Sequence, residues 1–137
     1  MHAFLDKFSA LFILRLGLGI NMLMHGLVRL PKLEAFASKM AAGFEGTLLS
    51  ETVVKAFLMV LPFLEFITGL LILFGGRLGR YGLVACGLIL SFLLFGTTLK
   101  EDWSGAGNQL IYVIATAYGL ALYDQQEKER TRLFENK

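Results

Sequence analysis

The stretch LVACGLILSFLLFGTTL, residues 83–99, decides the fold class. Its polar side chains are only Ser91, Thr97 and Thr98. A helix on a water-soluble bundle keeps one polar face. This one is apolar almost all the way round, which suits hydrocarbon and not water. With Tyr81 and Gly82 in front it approaches the roughly 20 residues that a bilayer span needs.

Three other windows match it. Residues 8–28 contain one charge, Arg15. Residues 56–76 contain one charge, Glu65. Residues 103–123 contain none, although their first turns are rich in Gly and Ser. The expected fold is therefore all-α: a single integral membrane domain, a four-helix bundle with spans at 8–28, 56–76, 81–99 and 103–123. Residues 124–137 form a charged cytoplasmic tail. Lys7 and the small residues Ala35 and Ala37 give a faint likeness to a cleaved signal peptide. Arg15 interrupts the apolar run, so the first block reads as a retained span.

Composition supports the same class. The 137 residues are 55% apolar and 18% charged. Soluble domains carry about 25% charge. The net charge of +2, without a basic stripe, gives no reason to expect a nucleic-acid partner. Cys86 is the only cysteine, which excludes an intrachain disulfide, a Cys-x-x-Cys redox pair and a thiolate metal site.

Between the first two spans, Leu33, Phe36, Ala37, Met40, Ala41 and Phe44 recur at helical spacing. That pattern predicts a short interfacial helix in the headgroup region, or an amphipathic helix packed on the bundle. Ser50 is a plausible N-cap for the second span. Residues 75–80 read as a tight basic turn, and residues 100–102 as another. With four spans both termini share one side, which holds seven basic residues (Lys7, Arg77, Arg80, Lys128, Arg130, Arg132, Lys137) against five on the other (Arg29, Lys32, Lys39, Lys55, Lys100). The bias predicts cytoplasmic termini.

Ionisable groups inside a bilayer are costly and mark function or a tight structural pair. At 100° per residue, Arg15, Asn21, His25 and Arg29 fall on one face of the first span, with Gly19 and Gly26. Glu65 lies mid-way along the second span, one turn after Pro62. Gln109 and Tyr112 line one side of the fourth. Counting depth from the outer helix ends puts Glu65 level with residue 19, with Arg15 about 6 Å deeper and His25 about 9 Å shallower. The expectation is a buried Arg15–Glu65 contact with His25 and Gln109 above it. Such a pair either locks helices together or lines a ligand cavity. No metal site is expected, because a ligand cluster is lacking. No haem is expected from this chain alone, because His25 is the only histidine within a span.

Arg15-Leu16-Gly17-Leu18-Gly19 followed by His25-Gly26 and Arg29-Leu30 resembles the first helix of the DoxX family. That family has an Arg-Leu-x-x-Gly start and a His-Gly-x-x-Lys-Leu finish; Arg29 here keeps the charge of the lysine. Glu65 with Thr68-Gly69-Leu70-Leu71 resembles its Glu-x-x-x-Gly-Leu-Leu pattern, and Arg77 and Arg80 resemble its basic turn. The resemblance runs from about Arg15 to Gln109. It implies four helices in a bacterial inner membrane, and related members are linked to thiosulfate oxidation with quinone as acceptor. Many members have no established activity, so the name does not make the chain an enzyme.

The leading expectation is a small membrane subunit of an oxidoreductase system. Arg15, Asn21, His25, Arg29, Glu65, Gln109 and Tyr112 would line a site for quinone or a similar small ligand. His25, whose unperturbed pKa lies near neutrality, would exchange a proton. Two alternatives are a non-enzymatic scaffold anchoring a partner protein or a second copy, and a small-solute or proton pathway.

Overall fold

A computed structural model describes residues 9–135. Phe8, which opens the expected first span, lies outside the described residues, as do His2, Lys7 and Lys137. Helix α1 spans Ala10–Arg29 and passes through a 3-10 turn at Leu30–Lys32 into α2, Leu33–Ala42. Helix α3 spans Glu51–Phe74, α4 spans Gly76–Leu99 and α5 spans Trp103–Glu135. No strand occurs among the described residues. Three stretches are long and apolar enough to cross a membrane: Ala10–Ala42, Glu51–Phe74 and Gly76–Leu99. They fit a membrane protein.

Local chemistry sets the boundaries. Ser9 and Ser50 cap α1 and α3 by accepting from the backbone N–H of Phe12 and Val53. Asp102 accepts from Gly105 N at 2.9 Å and starts α5. The basic turn is shorter than its sequence suggests. Only Gly75 separates α3 from α4, and Arg77 to Arg80 already belong to α4. Gly75 and Gly76 both have positive φ, 76° and 55°, which side chains with a Cβ adopt at a cost. Helix α3 also begins five residues before the expected 56, and α5 continues without a break through Asp124 into the charged tail.

Helix α1 lies against α3 through small residues. A Cβ on Gly26 would come within 2.6 Å of Phe66 N, and one on Gly19 within 2.7 Å of Leu73 Cγ. A Cβ on Gly69 would run into the backbone of Leu23. On the other side, Gly82 brings α4 equally close to Ile72 of α3, and Gly119 seats α5 against Leu14 and Leu83. Backbones that approach this closely gain dispersion contacts, the main source of helix association where water supplies no driving force. Leu61, Ile72, Leu83 and Cys86 fill the centre. Cys86 Sγ sits 3.7 Å from Thr116 Oγ1. Ile13, Ile20, Phe63, Ile67, Leu88 and Phe92 stand exposed around the outside. An apolar surface of that extent matches a lipid surrounding.

Gly69→Leu is expected to force α1 off α3 and to cost about 3 kcal/mol or more by overpacking. Gly17→Ala, whose Cβ meets nothing within 4 Å, is expected to be no less stable than the parent and to gain up to about 1 kcal/mol of helix propensity. Thermal unfolding of both variants in detergent checks the difference.

Candidate functional site

Glu65 is 2% exposed, yet it carries a carboxylate. Its partner is Arg29, not Arg15. Arg29 Nη1 lies 2.6 Å from both Oε1 and Oε2, and the Arg29 side chain is 24% exposed. The guanidinium also stands over the Phe36 ring, 4.7 Å from its centroid. An aromatic face and a carboxylate thus share one cation.

Arg15 does different work. Its Nε donates to Ile72 O at 2.9 Å and its Nη2 to Leu73 O at 2.8 Å. These carbonyls belong to the last turn of α3, where intrahelical partners run out. The expected Arg15–Glu65 contact is therefore replaced by a helix-end cap, and the reason is register. Gly26 faces Pro62 and Phe66, while Gly19 faces Gly69 and Leu73. Glu65 is thus level with residues near 26, about two turns from the expected level. The first turns of α3 run past the end of α1 and alongside α2, where Lys55 Nζ meets Glu34 Oε1 at 2.5 Å.

Around the ion pair lies a cavity of about 310 Å3. Asn21, His25, Arg29, Glu65, Gln109 and Tyr112 all line it. Six of the seven residues marked in the sequence thus meet in one place, and Arg15 is the one left out. Asn21 Nδ2 reaches Tyr112 OH at 3.5 Å. The Thr97 hydroxyl, within reach of Leu93 O, also contacts the Gln109 side-chain amide and fixes its position at the cavity. His25 lines the wall and is exposed on one side. Comparison with known proteins gives no match to a family model, a curated protein or a solved structure.

The sequence reading missed two features. Asn108 joins the polar wall beside Gln109; two adjacent amides at the start of an apolar helix were the available signal. The second is an apolar groove of about 380 Å3, walled by Phe44, Val53, Phe57, Phe92 and Phe95. It shares Met40, Leu58, Leu93 and Gln109 with the polar cavity, so the two lie side by side. Lys100 lies on its rim, with Nζ 5.0 Å from the centroid of the Phe44 ring.

Removing one member of a buried ion pair strands the other charge. Arg29→Gln is expected to cost about 3 kcal/mol, and the double variant Arg29→Gln/Glu65→Gln to recover most of it. Arg15→Gln, which spares Glu65, is expected to show no such recovery when combined with Glu65→Gln. Detergent melting curves of the two double-mutant cycles separate the cases.

Proposed function

We propose that this chain is a small membrane subunit of a quinone-linked oxidoreductase system. The observation that carries the reading is a polar chamber that adjoins an apolar groove across four shared residues. A ring bearing carbonyl groups and an isoprenoid chain needs both. The polar residues belong in the chamber, and Phe57, Phe92 and Phe95 offer the groove to the chain. The likeness of α1 and α3 to the DoxX family supports quinone over other ligands of the same shape.

The roles follow from the donors present. Gln109 and Asn21 offer amide N–H groups to carbonyl oxygen, and Tyr112 offers a hydroxyl. Arg29 and Glu65 hold the wall in place and keep it polar. His25, at the exposed side, passes a proton. Quinone supplies the electron-accepting chemistry when bound; the electrons come from a partner protein.

In this reading α5 crosses as a fourth span, with Gln109, Tyr112 and Thr116 toward the other helices, and α2 lies at the membrane interface. The Lys and Arg distribution supports termini in the cytoplasm of a bacterial cell, with the protein in the inner membrane. A second reading, a scaffold, is favoured by one observation. Residues 124–133 continue α5 as a charged helix, exposed on all sides. Truncation after Asp124 would then abolish partner capture while Glu65→Gln spares it.

Organic extracts of purified protein are expected to contain quinone. The amount falls about tenfold or more in His25→Ala and in Gln109→Ala, as lost hydrogen bonds leave ligand carbonyls unpaired. Extraction followed by mass spectrometry measures it. Protein that carries no quinone and shows no quinone-dependent activity with any partner would remove the proposal.

A further inference from the structure

The apolar groove beside the Glu65 chamber has one feature for which a quinone tail has no use. Its walls come from the first turns of α3, the last turns of α4 and the segment from Met40 to Leu49. Lys100 alone among the lining residues is charged, and no acid lines the groove. The groove therefore presents a single cation to whatever lies in it.

The setting of that lysine is informative. Lys100 follows directly on the apolar stretch Gly76–Leu99. A lysine at the end of such a stretch ordinarily turns its ammonium out toward water. Here the side chain folds back. A Cβ on Gly43 would lie 3.5 Å from Nζ and 3.7 Å from Cδ, so the stem passes over the end of α2. Nζ then stands 5.0 Å from the centroid of the Phe44 ring, itself part of the groove wall. A phenyl face attracts a cation without neutralising it. Lys100 forms no ion pair among the described residues, and neighbouring Asp102 is engaged in capping α5 through Gly105 N.

From the lysine the groove follows α4 inward. Phe92 lies about 12 Å along the helix axis from Lys100, at 1.5 Å per residue. Phe57 of α3 faces it, with ring centroids 6.5 Å apart. Val53, Phe57, Phe92 and Phe95 are all exposed, so the groove is open along its side to the surroundings of the bundle. Its volume of about 380 Å3 is at the lower end of ligand sites and suits one chain better than a pair. An occupant that matches these walls has an apolar chain with one negative charge at its end. Phosphate headgroups are recognised by clusters of basic residues. A lone lysine balances a carboxylate.

We propose that this groove binds a long-chain fatty acid, with its carboxylate on Lys100 Nζ and its chain along Phe95, Phe92 and Phe57. A fatty acid seated there excludes the tail of a quinone from the same walls. The site needs none of Asn21, His25, Glu65 or Tyr112, so it goes beyond the quinone reading and does not rest on it.

Full-length protein in phosphatidylcholine nanodiscs is irradiated with palmitate that carries a photoreactive diazirine in its chain, and labelled peptides are located by mass spectrometry. Label is expected on the groove walls, within residues 53–58 of α3 and 92–97 of α4. Unlabelled palmitate is expected to compete about tenfold better than hexadecanol, which has the chain without the charge. Lys100→Gln is expected to abolish that preference and Lys100→Arg to keep it. Val53→Trp, which fills the groove and leaves Lys100 in place, is expected to lower the labelling about tenfold. If Lys100→Gln does not fold, Val53→Trp and the hexadecanol comparison carry the test. Equal competition by palmitate and hexadecanol makes the groove a site for any chain, an isoprenoid tail included, and overturns the fatty-acid assignment. Label spread over the outer faces of the bundle, or a preference unchanged in folded Lys100→Gln, overturns it as well. The quinone content of the same preparations reports on the chamber alone, so the failure of one reading is told apart from the failure of the other.

Discussion

A carboxylate held among apolar helices governs the rest of the structure. Unpaired, Glu65 would pay a desolvation cost of several kcal/mol, and that cost is offset only by a close, well-oriented cation. Arg29 meets the need with one nitrogen 2.6 Å from each oxygen. The contact works only at one relative height of α1 and α3. That height is fixed by Gly26 and Gly69, where a Cβ would run into the partner backbone, and by Gly19, which seats the Leu73 side chain. Packing and electrostatics therefore select the same register. Once it is set, Asn21 and His25 on α1 face the same space as Glu65, and α5 closes it with Gln109 and Tyr112.

Three apolar helices and the polar face of α1 were legible because they depend on periodicity and length. The identity of the cation was not. Arg15 and Arg29 are fourteen residues apart, within about 40° of four full turns, so they share a face. They differ by about 21 Å in height, and height depends on where the partner helix begins. Aligning the outer ends of the two helices selected Arg15. In the structure α3 overshoots α1 and packs its first turns on α2, which brings Glu65 beside Arg29 instead. The apolar groove was hidden for a similar reason. Met40 and Phe44 come from α2 and the turn after it, and only the fold-back of that segment places them beside Phe57 and Phe92.

The same face of α1 thus carries two arginines with separate tasks at its two ends. Near residue 29 a cation neutralises an acid. Near residue 15 a cation satisfies carbonyls at Ile72 and Leu73, which the abrupt glycine turn after Phe74 leaves without intrahelical donors. A single-residue connection between α3 and α4 makes such a cap necessary, because the chain has no further residues with which to close the helix. The turn also carries a consequence for α4, whose own first N–H groups start at once beside Arg77 and Arg80. Arg15 stands at this end for a reason of backbone chemistry, whereas Arg77 and Arg80 lie in the first turns of α4, where the helix dipole disfavours a cation, and Asp124 offsets Arg80.

The composition of α5 follows from its position. Asn108, Gln109 and Tyr112 lower its hydropathy, and it is not among the three stretches apolar enough to cross a membrane on that measure. A helix that supplies polar groups to an interior chamber has to carry them, and each one weakens the signal by which spanning helices are recognised. Its outward side remains apolar over the same length, with Leu110, Ile111 and Ile114 exposed. Thr116, by contrast, faces the packed interior, where its hydroxyl donates to Tyr112 O at 2.7 Å. The two faces of α5 thus differ in character, one apolar and exposed, the other turned to the packed interior and the polar cavity. Mean hydropathy averages over the faces and loses that distinction, whereas the placement of each side chain keeps it.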